Sequence, residues 1–430
     1  MTSISACRNL VVGWAVVCGL CRSVSPGAWA SESAPLVLEV SAGPYGRENT
    51  PVVFTLPEPL AQRGTVRLIL LDDGREVSSQ RIPGEKPAVA WILAGRLAAG
   101  GTQRYQLTAG DVPPNIPPGV SCRDEGARLV IQAGSHLVLA YNHTELPSPA
   151  GLDPVFAKSG HIHPVYTPSG RLVTDDFPPD HAHQHGIFWA WVNTTFQGRK
   201  IDFWNQAGRT GRVRHERVEE VASGPVFAQF TAVLRHECLT ANGAVPVIEE
   251  KWTVRVYGSG DQPLVDLESV QTCATDAPLV VNEYHYGGLA LRGARDWFRQ
   301  PQSDFLTSEG KTRSDGNHTR ARWVIAHGLS GGQPAGICIL GHPQNFRSPQ
   351  PVRLHPEKPY FCFSPMILGT FTIDPGRPYV SRYRLAAFDG PVQAERAERL
   401  WHDFAEPPTI RVVNTETSEN GDGSDLQKAK

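Results

Sequence analysis

Residues 180–191 read "DHAHQHGIFWAW", which places His181, His183 and His185 at alternate positions behind Asp180. In an extended chain the side chains alternate between faces, so the three imidazoles would converge on one side. Such a set suits a divalent metal such as Zn, with Asp180, Asp175 or Asp176 orienting a ring nitrogen or completing the shell. It suits acid/base work on a polar substrate equally well. If Gly186 introduces no bulge, the same alternation carries Trp189 and Trp191 onto that face and turns Phe188, Ala190 and Val192 to the core. Histidines passing into indole rings, with Trp204 as a further platform and Asp202 as a carboxylate, would furnish a sugar site: polar groups for hydroxyls, flat rings for C–H surfaces. Residues 159–205 hold five of the chain's 15 histidines, and His161 and His163 would share a face of another strand.

A second concentration, "NEYHYGGLALRG" (282–293), brings Glu283, His285, Tyr286 and Arg292 beside two glycines that would let backbone approach a ligand. Glu, His and Tyr are side chains for proton transfer at sugar carbons and hydroxyls. A third, "GHPQNFRSPQPVRLHP" (341–356), offers His342, Asn345, Arg347, Arg353 and His355 in a loop broken by prolines. The expected site has Asp180, His181 and His183 on one wall and Glu283 and His285 on the other as catalytic groups. His161, His163, Trp189, Trp191, Trp204, Tyr286, Arg292, Asn345 and Arg347 would contact substrate, and His181, His183 and His185 are the candidate metal ligands.

These groups need elements to hold them, and the pattern is β throughout. From 34 to 110, six short runs such as "LVLEVSA", "TVRLILL" and "AVAWIL" are separated by turn residues, "DDG" at 72–74 closing a hairpin; this predicts a small immunoglobulin-like sandwich. "DVPPNIPPG" (111–119) stiffens the chain and blocks regular structure, placing a domain boundary there. The strand pattern then continues from 120 to 408, predicting a large antiparallel sandwich or supersandwich of the galactose mutarotase type. One helix is expected at 391–406, with Ala397, Leu400, Trp401 and Phe404 on one face. The polar stretch 414–430 reads as a disordered tail.

With 41 Lys+Arg against 43 Asp+Glu, the net charge of -2 argues against nucleic acid or an anionic membrane as partner. Arg8, the apolar run 10–21 and "AWA" at 28–30 predict a signal peptide over 1–30, hence a periplasmic or secreted protein. No later run is long and apolar enough for a membrane span. Of eight cysteines, five follow the leader, none spaced as CxxC.

The motifs "HPVYTPSG", "DHAHQHG", "DFWN", "YGGLALRG" and "GHPQNFR", in this order over 135–390, resemble the PmoA-like family of unknown function, often labelled methane oxygenase. Its members read DHxHHRG, so the resemblance carries over Asp180, His181 and His183, whereas Gln184 and His185 depart from the pattern. It implies a secreted companion of carbohydrate-degrading systems. The expected function is therefore a secreted carbohydrate-active protein of the epimerase, lyase or hydrolase class. The alternatives are a non-catalytic carbohydrate-binding protein and a metal-dependent oxygenase.

Overall fold

The computed structural model of the chain describes residues 35–413 apart from 63, 85, 111–118 and 261. The predicted leader, the proline-rich connection and the predicted tail lie outside the described residues. The fold is all-β, as the alternating pattern requires, with one helix longer than a single turn among the described residues, Ala394–Ala405.

Two small sheets face each other at the N-terminal end. One runs in the order 409–413, 36–41, 102–109, 66–70, 76–77, and the other 51–55, 88–92, 79–82. Leu38, Val40, Leu68, Trp91, Tyr105 and Leu107 fill the space between them. The strand Thr409–Val413 returns from the far end of the chain to pair with Leu36–Ser41, Val37 opposite Val413 and Ser41 opposite Thr409. Sequence reading misses it, because "TIRVV" is short and buries no residue completely.

The main body is a sandwich of two eight-stranded antiparallel sheets. The first has the order 120–124, 128–133, 136–142, 161–165, 187–190, 288–292, 360–363, 352–354. The second has the order 211–222, 227–240, 243–257, 264–273, 379–389, 333–341, 323–330, 304–307. Its strands Phe227–Thr240 and Gly243–Tyr257 place Phe230, Ala232, Leu234, Trp252, Val254 and Val256 in the core, each completely buried. Burying an aliphatic or Phe side chain of this kind contributes about 1.5–3 kcal/mol before entropy is counted.

The N-terminal pair of sheets is tied to the main body. Ala90 packs with Phe227, Tyr257, Trp323 and Leu400. Gln80 accepts from the backbone N–H of Val226 and Phe227 and donates to the Phe227 carbonyl. Arg47 forms a 2.9 Å ion pair with Asp403, both side chains buried. The helix starts three residues later than expected and leaves Pro391 outside. Ala397 and Leu400 are buried, Trp401 and Phe404 pack beside them, and Trp401 Nε1 donates to the Gly341 carbonyl at 3.0 Å. Cys122, Cys238, Cys273, Cys338 and Cys362 are all free. Among the described residues no helix is long and apolar enough to cross a membrane.

Candidate functional site

The segment 177–184 is not a strand. Pro178 and Pro179 cannot donate to a ladder, and the chain instead makes two successive turns, His181 N–H to the Pro178 carbonyl (3.0 Å) and Gln184 N–H to the His181 carbonyl (2.9 Å). A bridge between Asp176 and His185 closes the loop at its base, and Gly186 N–H donates to the Asp175 carbonyl at 2.7 Å. Gly186 has φ +43°, and a Cβ there would collide with the Ile162 carbonyl. The left-handed residue shifts the alternation, so His185 and the tryptophans beyond it end on opposite sides. The expectation that His181, His183 and His185 share a face therefore fails, because it assumed an extended chain.

The shift also decides the tryptophans. Trp189 and Trp191 point between the two large sheets, against Tyr379 and, for Trp189, Tyr383; Trp191 Nε1 donates to Gln271 Oε1 at 2.7 Å. Phe188 takes the other side and packs on Trp204 with ring centroids 4.6 Å apart. Trp189, Trp191 and Trp204 are 1%, 0% and 2% exposed, so they are core and offer no face to a ligand. The strand 187–190 lies fourth from one edge and fifth from the other, covered on both sides, which explains why its alternation carries no polar face.

The structure builds two histidine groups. The inner one joins His161, Asp176 and His185, whose ligand atoms lie within 4.8 Å of one another and could hold a metal. Asp176 Oδ2 is 3.0 Å from His161 Nε2, and Asp176 Oδ1 is 2.7 Å from His185 Nδ1. His185 Nε2 faces Gln206 Oε1 at 3.3 Å, while His161 Nδ1 is buried without a partner. Burial pulls against the Asp176 carboxylate, but the two imidazoles beside it hold it well below the usual range. Burial pushes His185 down to about 4 despite Asp176. His185 thus serves as a candidate metal ligand with His161 and Asp176 rather than with His181 and His183. His161, expected at substrate, is completely buried.

The outer group draws on segments far apart in the sequence. His181 and His183 have ring centroids 5.3 Å apart, and His355 comes within 6.2 Å of His181. His355 leads to Tyr360 (6.0 Å), Tyr360 to Trp204 (5.8 Å), Trp204 to Tyr286 (5.4 Å) and Tyr286 to His285 (4.8 Å). Asn205 Nδ2 donates to Tyr286 Oη at 2.9 Å and to Asp202 Oδ2 at 2.7 Å. His355 Nδ1 accepts from the backbone N–H of Glu357 and Lys358 at 3.1 and 3.2 Å, which leaves the ring proton on Nε2. Burial, with Lys358 and Arg353 nearby, pushes His355 down to about 3; burial with His181 close by pushes His183 down to about 4. Burial raises Tyr286 to about 12. At neutral pH this face presents uncharged imidazoles and protonated phenols.

Several expected members have other partners. Asp180 receives two bonds from the buried Arg292, at 2.9 and 3.2 Å, and Arg292 also donates to Gln184 Oε1 at 2.9 Å. This pair fixes the loop to strand 288–292, so neither residue is free for substrate. His163 Nδ1 meets Thr174 Oγ1 at 2.9 Å. Asn345 donates to the Arg382 carbonyl and accepts from its N–H, and Arg347 caps the carbonyls of Pro365, Gly369 and Thr370. Both therefore hold loops. Glu283 is exposed, and its carboxylate has no hydrogen bond or ion pair among the described residues. His285 reaches the group only through Tyr286.

A profile described as a family of unknown function, DUF6807, matches residues 128–402. The chain belongs to DUF6807. This overturns the PmoA-like resemblance, since nothing indicates a PmoA-like family. No curated protein matches. Among solved structures, a protein in glycosyl hydrolase family 38 from Enterococcus faecalis aligns at TM-score 0.48 and 11% identity, covering 90% of this chain and 48% of its own. The present chain thus spans about half the length of that protein. In this DUF6807 protein the residues that sequence reading left out of the site are His355, Tyr360, Gln206 and the position of Asp176. His355 stands in the loop 341–356, from which the expected substrate contacts are Asn345 and Arg347. Gln206 carried no signal, since a lone glutamine after "DFWN" has no chemistry of its own.

Proposed function

We propose that this protein is exported and acts on a sugar or glycan at the face made by His181, His183 and His355, through histidine acid/base chemistry. The observation that carries the reading is the convergence of three half-buried imidazoles from two separate segments, with His181 in ring contact with both His183 and His355. Neutral imidazole accepts a proton from a sugar hydroxyl or carbon acid, and His355 Nε2–H returns one. His181 and His183 fill the acceptor role, His355 the donor role, and Asp180 with Arg292 positions the loop.

The test is turnover and binding on a panel of mono- and oligosaccharides, with His183→Ala and His355→Ala beside the wild type. Loss of one acid or base lowers the rate by about 10²–10⁴. The expected result is that loss with retained affinity. A wild type that neither binds nor converts any glycan in the panel refutes the proposal. A second reading, sugar binding without catalysis, is favoured by the partly exposed ring cluster of Tyr284, His285 and Tyr286, whose centroids lie 4.3–5.1 Å apart. Binding that survives both histidine variants, with turnover in none, would select it.

A further inference from the structure

We infer that His161, Asp176 and His185 are the ligands of a divalent transition-metal site of the zinc type, set at the base of the 177–184 loop. The case begins with Asp176. Its carboxylate is 9% exposed and, among the described residues, forms ion pairs with the two imidazoles and with no lysine or arginine. Arg295 is close but donates to the Asp176 backbone carbonyl, and its guanidinium pairs with Asp175. The buried ammonium of Lys158 donates to the Val213 carbonyl at 2.7 Å instead. A buried carboxylate without a permanent counter-charge is costly, and a cation between the rings would supply it.

Proton counting at His185 points the same way. Both hydrogens of the Gln206 side-chain amide are engaged, Nε2 donating to the carbonyls of Val155 (3.1 Å) and Ala157 (3.0 Å). The amide orientation is thereby fixed, and the atom turned to His185 Nε2 is the acceptor Oε1. His185 Nε2 must carry a proton, yet Nδ1 faces an oxygen of Asp176 at 2.7 Å. Both ring nitrogens thus face acceptors, which a neutral imidazole cannot satisfy. A metal resolves the conflict: Nδ1 presents its lone pair to the ion, and Nε2–H donates to Gln206 Oε1, the outer hydrogen bond that ligating histidines commonly make. Two histidines and one carboxylate match zinc's ligand preferences. Gln206, the hydrogen-bond partner of His185 Nε2, also lines a surface cleft of about 340 Å³ with Val155 and Ala157. The ion would clip the bridge between Asp176 and His185, and so brace the loop that carries His181 and His183.

The test is metal content of full-length protein purified without a histidine tag, followed by thermal unfolding of chelator-stripped protein with and without Zn²⁺. The expected result is one equivalent of metal, or its recovery with added Zn²⁺, with a higher Tm; Asp176→Asn should lose both and His183→Ala should keep both. Wild-type protein that takes up no stoichiometric metal and shows no Tm response would overturn the inference. Metal lost in His183→Ala but kept in Asp176→Asn would also overturn it, by moving the ion to the outer group. The wild-type measurement decides even if Asp176→Asn does not fold. None of these readouts involves a glycan, so the inference stands or falls independently of the proposed function.

Discussion

Asp180→Ala tests whether the loop is held as described. The variant deletes the carboxylate that takes two bonds from Arg292, a side chain only 1% exposed. Removing one partner of a buried pair costs about 3–5 kcal/mol, because the remaining charge is uncompensated. Two features reduce that here. Asp180 is 20% exposed, so water can reach the vacated position, and Gln184 Oε1 still accepts from Arg292 at 2.9 Å. The expected cost is therefore about 2–3 kcal/mol. Arg292→Met in the Asp180→Ala background removes the stranded charge and should recover part of the loss, a coupling of about 1–3 kcal/mol. Urea unfolding followed by tryptophan fluorescence at pH 7 measures both. The Arg292 guanidinium holds the Asp180 carboxyl below its usual range, against burial, which opposes it. The pair's contribution is thus fully present above the unfolded carboxyl's titration near pH 4 and disappears as pH falls through the folded value. The gap between wild type and Asp180→Ala should narrow in that window. A cost under about 1 kcal/mol, or strict additivity with Arg292→Met, would refute the positioning role.

Other consequences follow from single groups. Gly186→Ala must place a Cβ at φ +43° against the Ile162 carbonyl and should cost about 3 kcal/mol or prevent folding, whereas Gly170→Ala, at φ +83° in open space, should cost about 1–2 kcal/mol; comparing soluble yield and urea midpoints checks this. His355 and His215 are held down by burial to about 3 and about 4, from 6.5. The unfolded chain binds their protons first, so stability should fall as pH drops from about 6.5 towards 4, and His215→Gln or His355→Gln should flatten that slope in unfolding midpoints. Glu250 is completely buried and accepts from Trp252 Nε1, Ser269 Oγ and Gln271 Nε2, with His236 Nε2 at 2.7 Å. Glu250→Ala should cost about 3–5 kcal/mol, and a loss under about 1 kcal/mol by urea titration would show the network to be dispensable.

Where one periodicity acted over a long element, the sequence was readable. Long alternating runs such as 227–240 and 243–257 declare an antiparallel sandwich because each inward residue must be buried, and the helix at 394–405 shows its apolar face in the same way. The return of 409–413 to the first strand was not readable. Its five residues bury too little to stand out, and its place is set by where the helix delivers the chain.

The site was half legible, for a different physical reason. Residue types pointed to the right segments, but assigning faces required knowing the backbone, and one glycine reversed the assignment. With an ordinary φ at Gly186, His185, Trp189 and Trp191 would share a face as expected; at +43° the histidine joins Asp176 and the indoles go to the core. His161 and Asp176 are 15 residues apart in sequence, and Asp176 and His185 nine, so no local spacing announces their convergence. What brings them together is the pairing of Ile162 with Ile187 across two strands and the turn pair that folds 177–184 back on itself. The proton conflict at His185 depends in turn on Gln206, held by two carbonyls of a short turn some fifty residues away. A histidine's chemistry is set by what each of its two nitrogens faces. That is a property of tertiary contacts, and at this site two residues with no motif of their own, Gly186 and Gln206, fix them.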